Sequence, residues 1–128
     1  MYFLAAEAAS TGVVQVMKHL FGRARPEDII VLSDAGSYPS GHVANAATIA
    51  TAAVVLFPRL WVLIVGGVWV FTMALSRTYL HAHWLSDTIG GAMVGVGVAL
   101  LIAVPFAVPL ARERGTALPP VPSLESRA

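Results

Sequence analysis

The chain has 128 residues, 57% of them hydrophobic and 12% charged, and a mean hydropathy of +0.75, which excludes an ordinary soluble domain and predicts an integral membrane protein. The net charge of +1 gives no indication of nucleic-acid binding. Because the chain has no cysteine, any chemistry must use His, Ser, Asp, Glu, Lys or Arg side chains.

Four apolar segments predict four helices. Residues 2–20 include polar side chains, which indicates a helix that contacts other helices more than lipid. Residues 43–57 and 60–75 are each shorter than the ~20 residues needed to cross ~30 Å of hydrocarbon, so we expect these helices to continue into the polar motifs beside them. Residues 88–110 form the longest segment. The predicted fold is all-α, an integral membrane bundle of about four transmembrane helices.

This membrane domain is assigned to residues 1–114, and the Pro-rich residues 115–128 are predicted to form a disordered tail. The link at residues 58–59 is so short that neighbouring helices must run in opposite directions. The polar stretches 18–42 and 76–87 then lie at the same end of the bundle. Nearly every reactive side chain is therefore gathered at that end.

The first polar cluster reads KHLFGRARP, residues 18–26. Lys18 and Arg25 are seven positions apart, so on a continuing helix they share one side, and Pro26 then ends the helix. Two cations so placed can bind one anion. The alternative is that Lys18, Arg23 and Arg25 are interfacial basic residues that contact lipid headgroups.

The second cluster, SYPSGHVA, opens the second helix. Pro39 and Gly41 form a turn and Ser40 is a favourable N-cap, so the first backbone N–H groups and the helix dipole favour an anion there. His42 lies in the first helical turn and can act as a general acid. The alternative is an ordinary capped helix with an incidental interfacial histidine.

The third cluster reads SRTYLHAHWLSD, residues 76–87. His83 and Asp87 are four positions apart, so on a helix the carboxylate can hold one imidazole nitrogen and leave the other as a nucleophile. Arg77 supplies a planar cation suited to phosphate. One alternative is a His–Asp pair that only stabilises a helix contact. The other is a metal site, for which the spacing is less favourable because it contains no HExxH or comparable motif. Its ligands would be His42, His81, His83 and Asp87.

Together the three clusters supply three cations, a helix N-terminus, a His–Asp pair and a second histidine. Phosphoryl transfer needs these parts, because its transition state spreads negative charge over the equatorial oxygens and the leaving oxygen requires a proton. This chemistry requires neither a metal ion nor a cofactor. The pattern therefore predicts an enzyme of phosphoryl transfer.

These residues resemble the signature of the type 2 phosphatidic acid phosphatases, a family related in its active site to bacterial acid phosphatases, glucose-6-phosphatase and vanadium haloperoxidases. That signature is a Lys, six residues and Arg-Pro; then Pro-Ser-Gly-His; then Ser-Arg, five residues, His, three residues and Asp. The sequence matches every position. The matching residues are Lys18, Arg25, Pro26, Pro39, Ser40, Gly41, His42, Ser76, Arg77, His83 and Asp87.

The resemblance implies a role for each of these side chains. His83 would attack phosphorus to form a phosphohistidine and Asp87 would orient it, while His42 would protonate the leaving group and later help to activate water. The groups that would bind the phosphate oxygens are Lys18, Arg25, Ser40, the Gly41 amide and Arg77.

Membrane members of this family usually have six helices, with the first motif after the third. A single predicted helix precedes Lys18 here, so we expect the first two helices to be absent and the chain to match the C-terminal two-thirds of the family fold. The resemblance implies a metal-independent phosphatase acting on a lipid phosphate or polyprenyl diphosphate. The alternatives are a truncated, inactive membrane protein that at most binds lipid phosphate and a vanadate-dependent haloperoxidase-like enzyme.

The orientation in the membrane depends on how basic residues are counted. A simple count places the polar end of the bundle in the cytoplasm. Three of the four basic residues at that end, however, are assigned to phosphate binding. When those three are left out of the count, the opposite end of the bundle carries more basic residues, and the predicted orientation reverses. With the family resemblance, this predicts a bacterial inner-membrane protein with its site facing the periplasm or the exterior, whose partners are its substrate and membrane lipids.

Overall fold

The computed structural model describes residues 1–30, 36–113 and 115, and all regular structure within them is helical. The chain forms the four predicted helices. They are α1 (Tyr2–Phe21), α2 (Gly41–Leu56), α3 (Leu60–Tyr79) and α4 (Leu85–Glu113). The predicted disordered tail lies outside the described residues apart from Gly115, and stays a prediction.

The helix ends differ from the apolar segments in ways that shape the polar end of the bundle. As expected for the two shorter segments, α2 begins early enough to include His42 and α3 continues through Arg77. The longer α4 begins at Leu85 and includes Asp87. The prediction that Lys18 and Arg25 share one helix is wrong. Gly22 adopts a left-handed conformation (φ 51°) and its N–H bonds the Lys18 carbonyl at 3.0 Å, so α1 ends at Phe21 and Arg25 lies in the following loop.

Two helices of the described residues are long and apolar enough to cross a membrane, α3 and the part of α4 over Leu85–Ala107. With 16 residues, α2 is apolar but shorter. Large apolar side chains of α3 are exposed, among them Trp61 (60%) and Phe71 (65%). In a bilayer these side chains contact lipid instead of water.

The polar end of α2 is held against α4 by two glycines. A Cβ added to Gly91 would lie 2.4 Å from the Ser40 carbonyl oxygen, and one on Gly95 would lie 2.3 Å from the Ala44 carbonyl oxygen. The Thr48 hydroxyl donates to this Ala44 oxygen at 2.9 Å. Because these contacts are with backbone atoms, side chains at the two glycine positions would force the helices apart.

The packing predicts that alanine substitutions at two glycines of α4 differ sharply in their effect on stability. Gly95→Ala should destabilise the bundle by about 1–3 kcal/mol, the usual cost of overpacking. Gly97→Ala should leave stability unchanged or raise it, because a Cβ at Gly97 meets nothing within 4 Å. Thermal unfolding of both variants in the same detergent measures the difference, and equal unfolding temperatures would contradict the described packing.

Candidate active site

A cleft of about 440 Å³ opens at the polar end of the bundle. It lies among α1, α2, α3 and the loop that joins α3 to α4. Six of the eight side chains or amides predicted to form the site line this single cleft. They are Lys18, Arg25, Gly41, His42, Arg77 and His83. The other two, Ser40 and Asp87, are fully buried beside it.

His83 lies in the loop between α3 and α4, and so does not share a helix with Asp87 as the spacing had suggested. Its Nδ1 is 2.8 Å from the Ser37 carbonyl oxygen and 3.7 Å from Asp87 Oδ2. A carbonyl oxygen can only accept a hydrogen bond, so Nδ1 carries the proton and Nε2 presents its lone pair. The Ser37 backbone, more directly than the carboxylate, therefore fixes the histidine tautomer.

The surroundings of His83 favour its neutral form. Its side chain is 4% exposed. Burial and the Arg25 guanidinium, with a smaller contribution from Lys18, lower the pKa of His83 from 6.5 to about 4, against the opposing effects of the Ser37 carbonyl and Asp87. Arg25 Nη1 lies 3.4 Å from His83 Nε2. At neutral pH the imidazole is therefore an unprotonated nitrogen base next to a cation.

Two backbone carbonyl oxygens hold the Arg25 guanidinium in place. Nη1 donates to the Ala82 carbonyl at 2.6 Å and Nη2 to the Gly36 carbonyl at 3.0 Å. Gly36 has a positive φ of 77°, and a Cβ there would lie 3.2 Å from the Lys18 carbonyl oxygen. A side chain at this position would be strained, so the glycine lets the loop approach the end of α1 closely.

Asp87 is completely buried and accepts several hydrogen bonds. Arg23 Nη1 donates to Oδ1 at 2.7 Å, and Oδ2 accepts from the Ser37 hydroxyl and, at 2.9 Å, from the Trp84 N–H. The Asp87 backbone carbonyl also accepts from the Ser40 N–H at 2.9 Å. Asp87 thus joins the loop after α1, the loop before α2 and the start of α4.

Two buried polar atoms at the site have no hydrogen-bond partner within the described part of the chain, Ser40 Oγ and Arg77 Nε. Ser40 is the N-cap residue of α2, as predicted, but its hydroxyl makes no capping bond. Buried polar atoms of folded proteins usually have a hydrogen-bond partner. A ligand with several acceptor oxygens would satisfy both.

Two other histidines, His42 and His81, differ in their position relative to the cleft. His42 is exposed and lines the cleft. His81 has a positive φ of 51° and its Nδ1 lies 2.5 Å from Asp28 Oδ2, in an exposed pair away from the cleft lining. Among the side chains that the structure describes, which include His42, His81, His83 and Asp87, no three His, Asp or Glu groups lie close enough to hold a metal ion together.

Two residues that contact the predicted site residues were not predicted from the sequence. Ser37 contributes its carbonyl to His83 and its hydroxyl to Asp87, and Arg23 contributes its guanidinium to Asp87. Both lie inside the polar clusters, but neither is a signature position. A backbone carbonyl has no signature in the sequence, and Arg23 had been interpreted as an interfacial basic residue.

We expect the protonation of His83 to respond to its neighbouring cation. The neutral imidazole predominates above about pH 4 and is lost as pH falls through this value. Arg25→Gln removes a cation that lowers this pKa, so protonation of His83 should then occur at higher pH. Nitrogen chemical shifts of His83, titrated by NMR in detergent, measure both values. Arg59→Gln, a charge-matched control at the opposite end of the bundle, should leave the titration unchanged, and titration near 6.5 in the parent chain would contradict the described environment.

The chain is similar to several known proteins of one family. The family model of the PAP2 superfamily matches residues 1–107. The chain is 36% identical over 92 residues to a lipid A 1-phosphatase of Porphyromonas gingivalis, covering 70% of this chain and 20% of that protein. It is 33% identical over 98 residues to phosphatidylglycerophosphatase B of Bacillus subtilis, covering 69% and 48%. An undecaprenyl-diphosphatase of Sulfolobus acidocaldarius is 34% identical over 65 residues, covering 51% and 31%.

A solved structure is also similar, that of a transmembrane PAP2-type phosphatidylglycerolphosphate phosphatase from Bacillus subtilis. The TM-score is 0.71 at 30% sequence identity, and the match covers 84% of this chain and 58% of that one. The chain thus spans less than half the length of each curated relative named here.

Proposed function

Because the chain belongs to the PAP2 superfamily, we propose that it is a phosphatase that hydrolyses a lipid phosphate or polyprenyl diphosphate at the membrane surface. The reaction proceeds through a phosphohistidine and needs no metal ion. One observation carries this proposal: a neutral, buried histidine lines the same cleft as two arginines and a lysine, beside two buried polar atoms that have no partner among the described residues.

The first step is attack by His83 Nε2 on phosphorus. Nδ1 stays bonded to the Ser37 carbonyl, so the ring keeps the tautomer that the attack requires. The P–O bond to the leaving group breaks as the P–N bond forms, and His42 gives its proton to the leaving oxygen. The imidazole becomes cationic as phosphorylation proceeds, and the nearby Asp87 carboxylate stabilises that charge.

The phosphate oxygens are bound by groups from three helices and one loop. Lys18 lies in the last turn of α1, and Arg25 lies in the loop that follows it. The Ser40 hydroxyl and the Gly41 N–H lie at the start of α2, and Arg77 projects from the last turn of α3. The N-terminal end of α2 adds its positive dipole. In the second step, His42 removes a proton from water, which attacks phosphorus and releases phosphate and the restored His83.

The substrate is proposed from the position of the site and from the relatives. The cleft opens at the end of the bundle where the apolar α3 ends and the apolar α4 begins. A headgroup at the membrane surface therefore reaches the cleft while the lipid chains remain among the helices. The relatives are named for lipid A, phosphatidylglycerophosphate and undecaprenyl diphosphate. We place the chain in a bacterial inner membrane with the cleft facing the periplasm or exterior, which leaves Arg59 at the cytoplasmic end.

Phosphate release in detergent tests this proposal. The substrates are a short-chain phosphatidic acid, phosphatidylglycerophosphate and a polyprenyl diphosphate, each assayed with and without EDTA. We expect release that survives EDTA and is inhibited by vanadate, which mimics the five-coordinate phosphorus. Loss of release with EDTA would contradict the metal-independent mechanism, and absence of release by the folded chain on all three substrates would contradict the proposed activity.

A further inference from the structure

Arg23 differs from the other basic residues at its end of the bundle because it does not line the cleft. Nη1 donates to Asp87 Oδ1 and to Ser86 Oγ, each at 2.7 Å, and the guanidinium carbon lies 5.8 Å from the centre of the Trp84 ring. The Arg23 side chain is 42% exposed, whereas that of Asp87 is fully buried. Arg23 therefore contacts the buried carboxylate from outside the cleft.

The contacts of Arg23 continue through Asp87 to the nucleophile. Asp87 Oδ2 accepts the hydroxyl hydrogen bond of Ser37, and the Ser37 carbonyl accepts the Nδ1–H of His83 at 2.8 Å. The backbone carbonyl of Arg23 also accepts from the Ser37 N–H at 2.8 Å. Arg23 thus holds Ser37 in two ways, directly by its backbone and indirectly by the carboxylate that its side chain neutralises.

We propose that Arg23 is a positioning residue, whose guanidinium fixes the Asp87 carboxylate so that Ser37 can hold the ring of His83 in its attacking orientation. A buried carboxylate is stable when charged only if its partners compensate for lost hydration. Without Arg23, the Asp87 carboxylate loses a charged partner and can rotate, and the hydrogen bond from the Ser37 hydroxyl weakens. The carbonyl that fixes His83 then loses its support. The proposal rests on the proposed function, because its kinetic test measures phosphate release.

The kinetic test uses three single variants, Arg23→Gln, Arg23→Lys and Asp87→Asn. It also uses the double variant that combines Arg23→Gln with Asp87→Asn. Arg23→Gln should lower kcat about 10- to 100-fold, as expected for removing a charged hydrogen-bond partner from a buried acceptor. KM should change little, since the side chain does not line the cleft. Arg23→Lys keeps the charge and should recover part of the loss.

The double variant tests whether Arg23 acts through Asp87. In the Asp87→Asn background the carboxylate charge is already gone, so Arg23→Gln should cost no more than about threefold further. An equal loss in both backgrounds would overturn the proposal. So would a raised KM with unchanged kcat, which would place Arg23 among the substrate-binding groups. A loss that merely follows the folded fraction in thermal unfolding, with no recovery by lysine, would reduce Arg23 to a structural role and also overturn it.

A second measurement does not depend on activity. Diethyl pyrocarbonate modifies unprotonated imidazole, and mass spectrometry of the peptide that carries His83 gives the rate of modification at that residue. Arg23→Gln should raise this rate at least severalfold over the parent chain because the ring is no longer held, whereas Arg59→Gln should not. Equal rates would overturn the proposal. If the parent chain releases no phosphate, the proposed function fails while this rate still decides the role of Arg23.

Discussion

His83→Asn is expected to abolish phosphate release, with a fall in kcat/KM of about 10⁴-fold or more. Asparagine retains an amide that can donate to the Ser37 carbonyl, so the loop keeps a polar contact where His83 Nδ1 now lies 2.8 Å away. It has no nitrogen lone pair that can attack phosphorus. The loss therefore reports the missing nucleophile more than a damaged loop.

His81→Asn is the matched control for this variant. It changes the same residue type two positions away in the same loop, but His81 pairs with Asp28 and does not line the cleft. Asparagine also tolerates the left-handed backbone at this position. Phosphate release by His81→Asn should stay within about threefold of the parent. Comparable losses in the two variants would show that the loop, and not the nucleophile, was disturbed.

The second large effect is expected at Arg77. Arg77→Ala should lower kcat/KM about 10²- to 10³-fold, the loss typical of removing one donor that stabilises transition-state charge. Arg77 lines the cleft, and its Nε is buried with no hydrogen-bond partner within the described residues, so this group can donate to a phosphate oxygen bound there. Arg77→Lys should recover only part of the loss, because lysine lacks the planar set of donors.

Arg59→Ala is the charge-matched control for Arg77. Arg59 lies at the opposite end of the bundle, at the start of α3, so its removal changes net charge without touching the cleft. We expect phosphate release to be nearly unchanged. A loss below tenfold for Arg77→Ala, or full recovery with lysine, would contradict a specific role for the guanidinium and favour a general effect of charge.

Hydropathy was sufficient to predict four helices, and the up-and-down order followed from the short link at residues 58–59. That order alone brings the three polar clusters to one end, which is why six predicted groups line one cleft. The inference from helical spacing failed after Phe21, because the left-handed Gly22 ends α1 before Arg25.

The hydrogen bonds inside the site were not predictable from residue spacing. The interval between His83 and Asp87 suggested a direct pairing, yet the Ser37 carbonyl lies closer to the imidazole than the carboxylate does. That contact depends on the path of the loop before α2, which no periodicity describes. The contact between Asp87 and Arg23 was not predictable either, because Arg23 lies in a loop 64 positions away in the sequence.

The most direct test of the account is to trap the covalent intermediate. A radiolabelled lipid phosphate is mixed with the chain, the reaction is quenched rapidly in alkali, and the labelled peptide is sequenced by mass spectrometry. If His83 attacks phosphorus, label is expected on His83 that survives alkali and is lost in acid, as for a phosphohistidine, and no label is expected in His83→Asn. Label on another residue, or steady turnover with no labelled protein at any quench time, would contradict attack by His83.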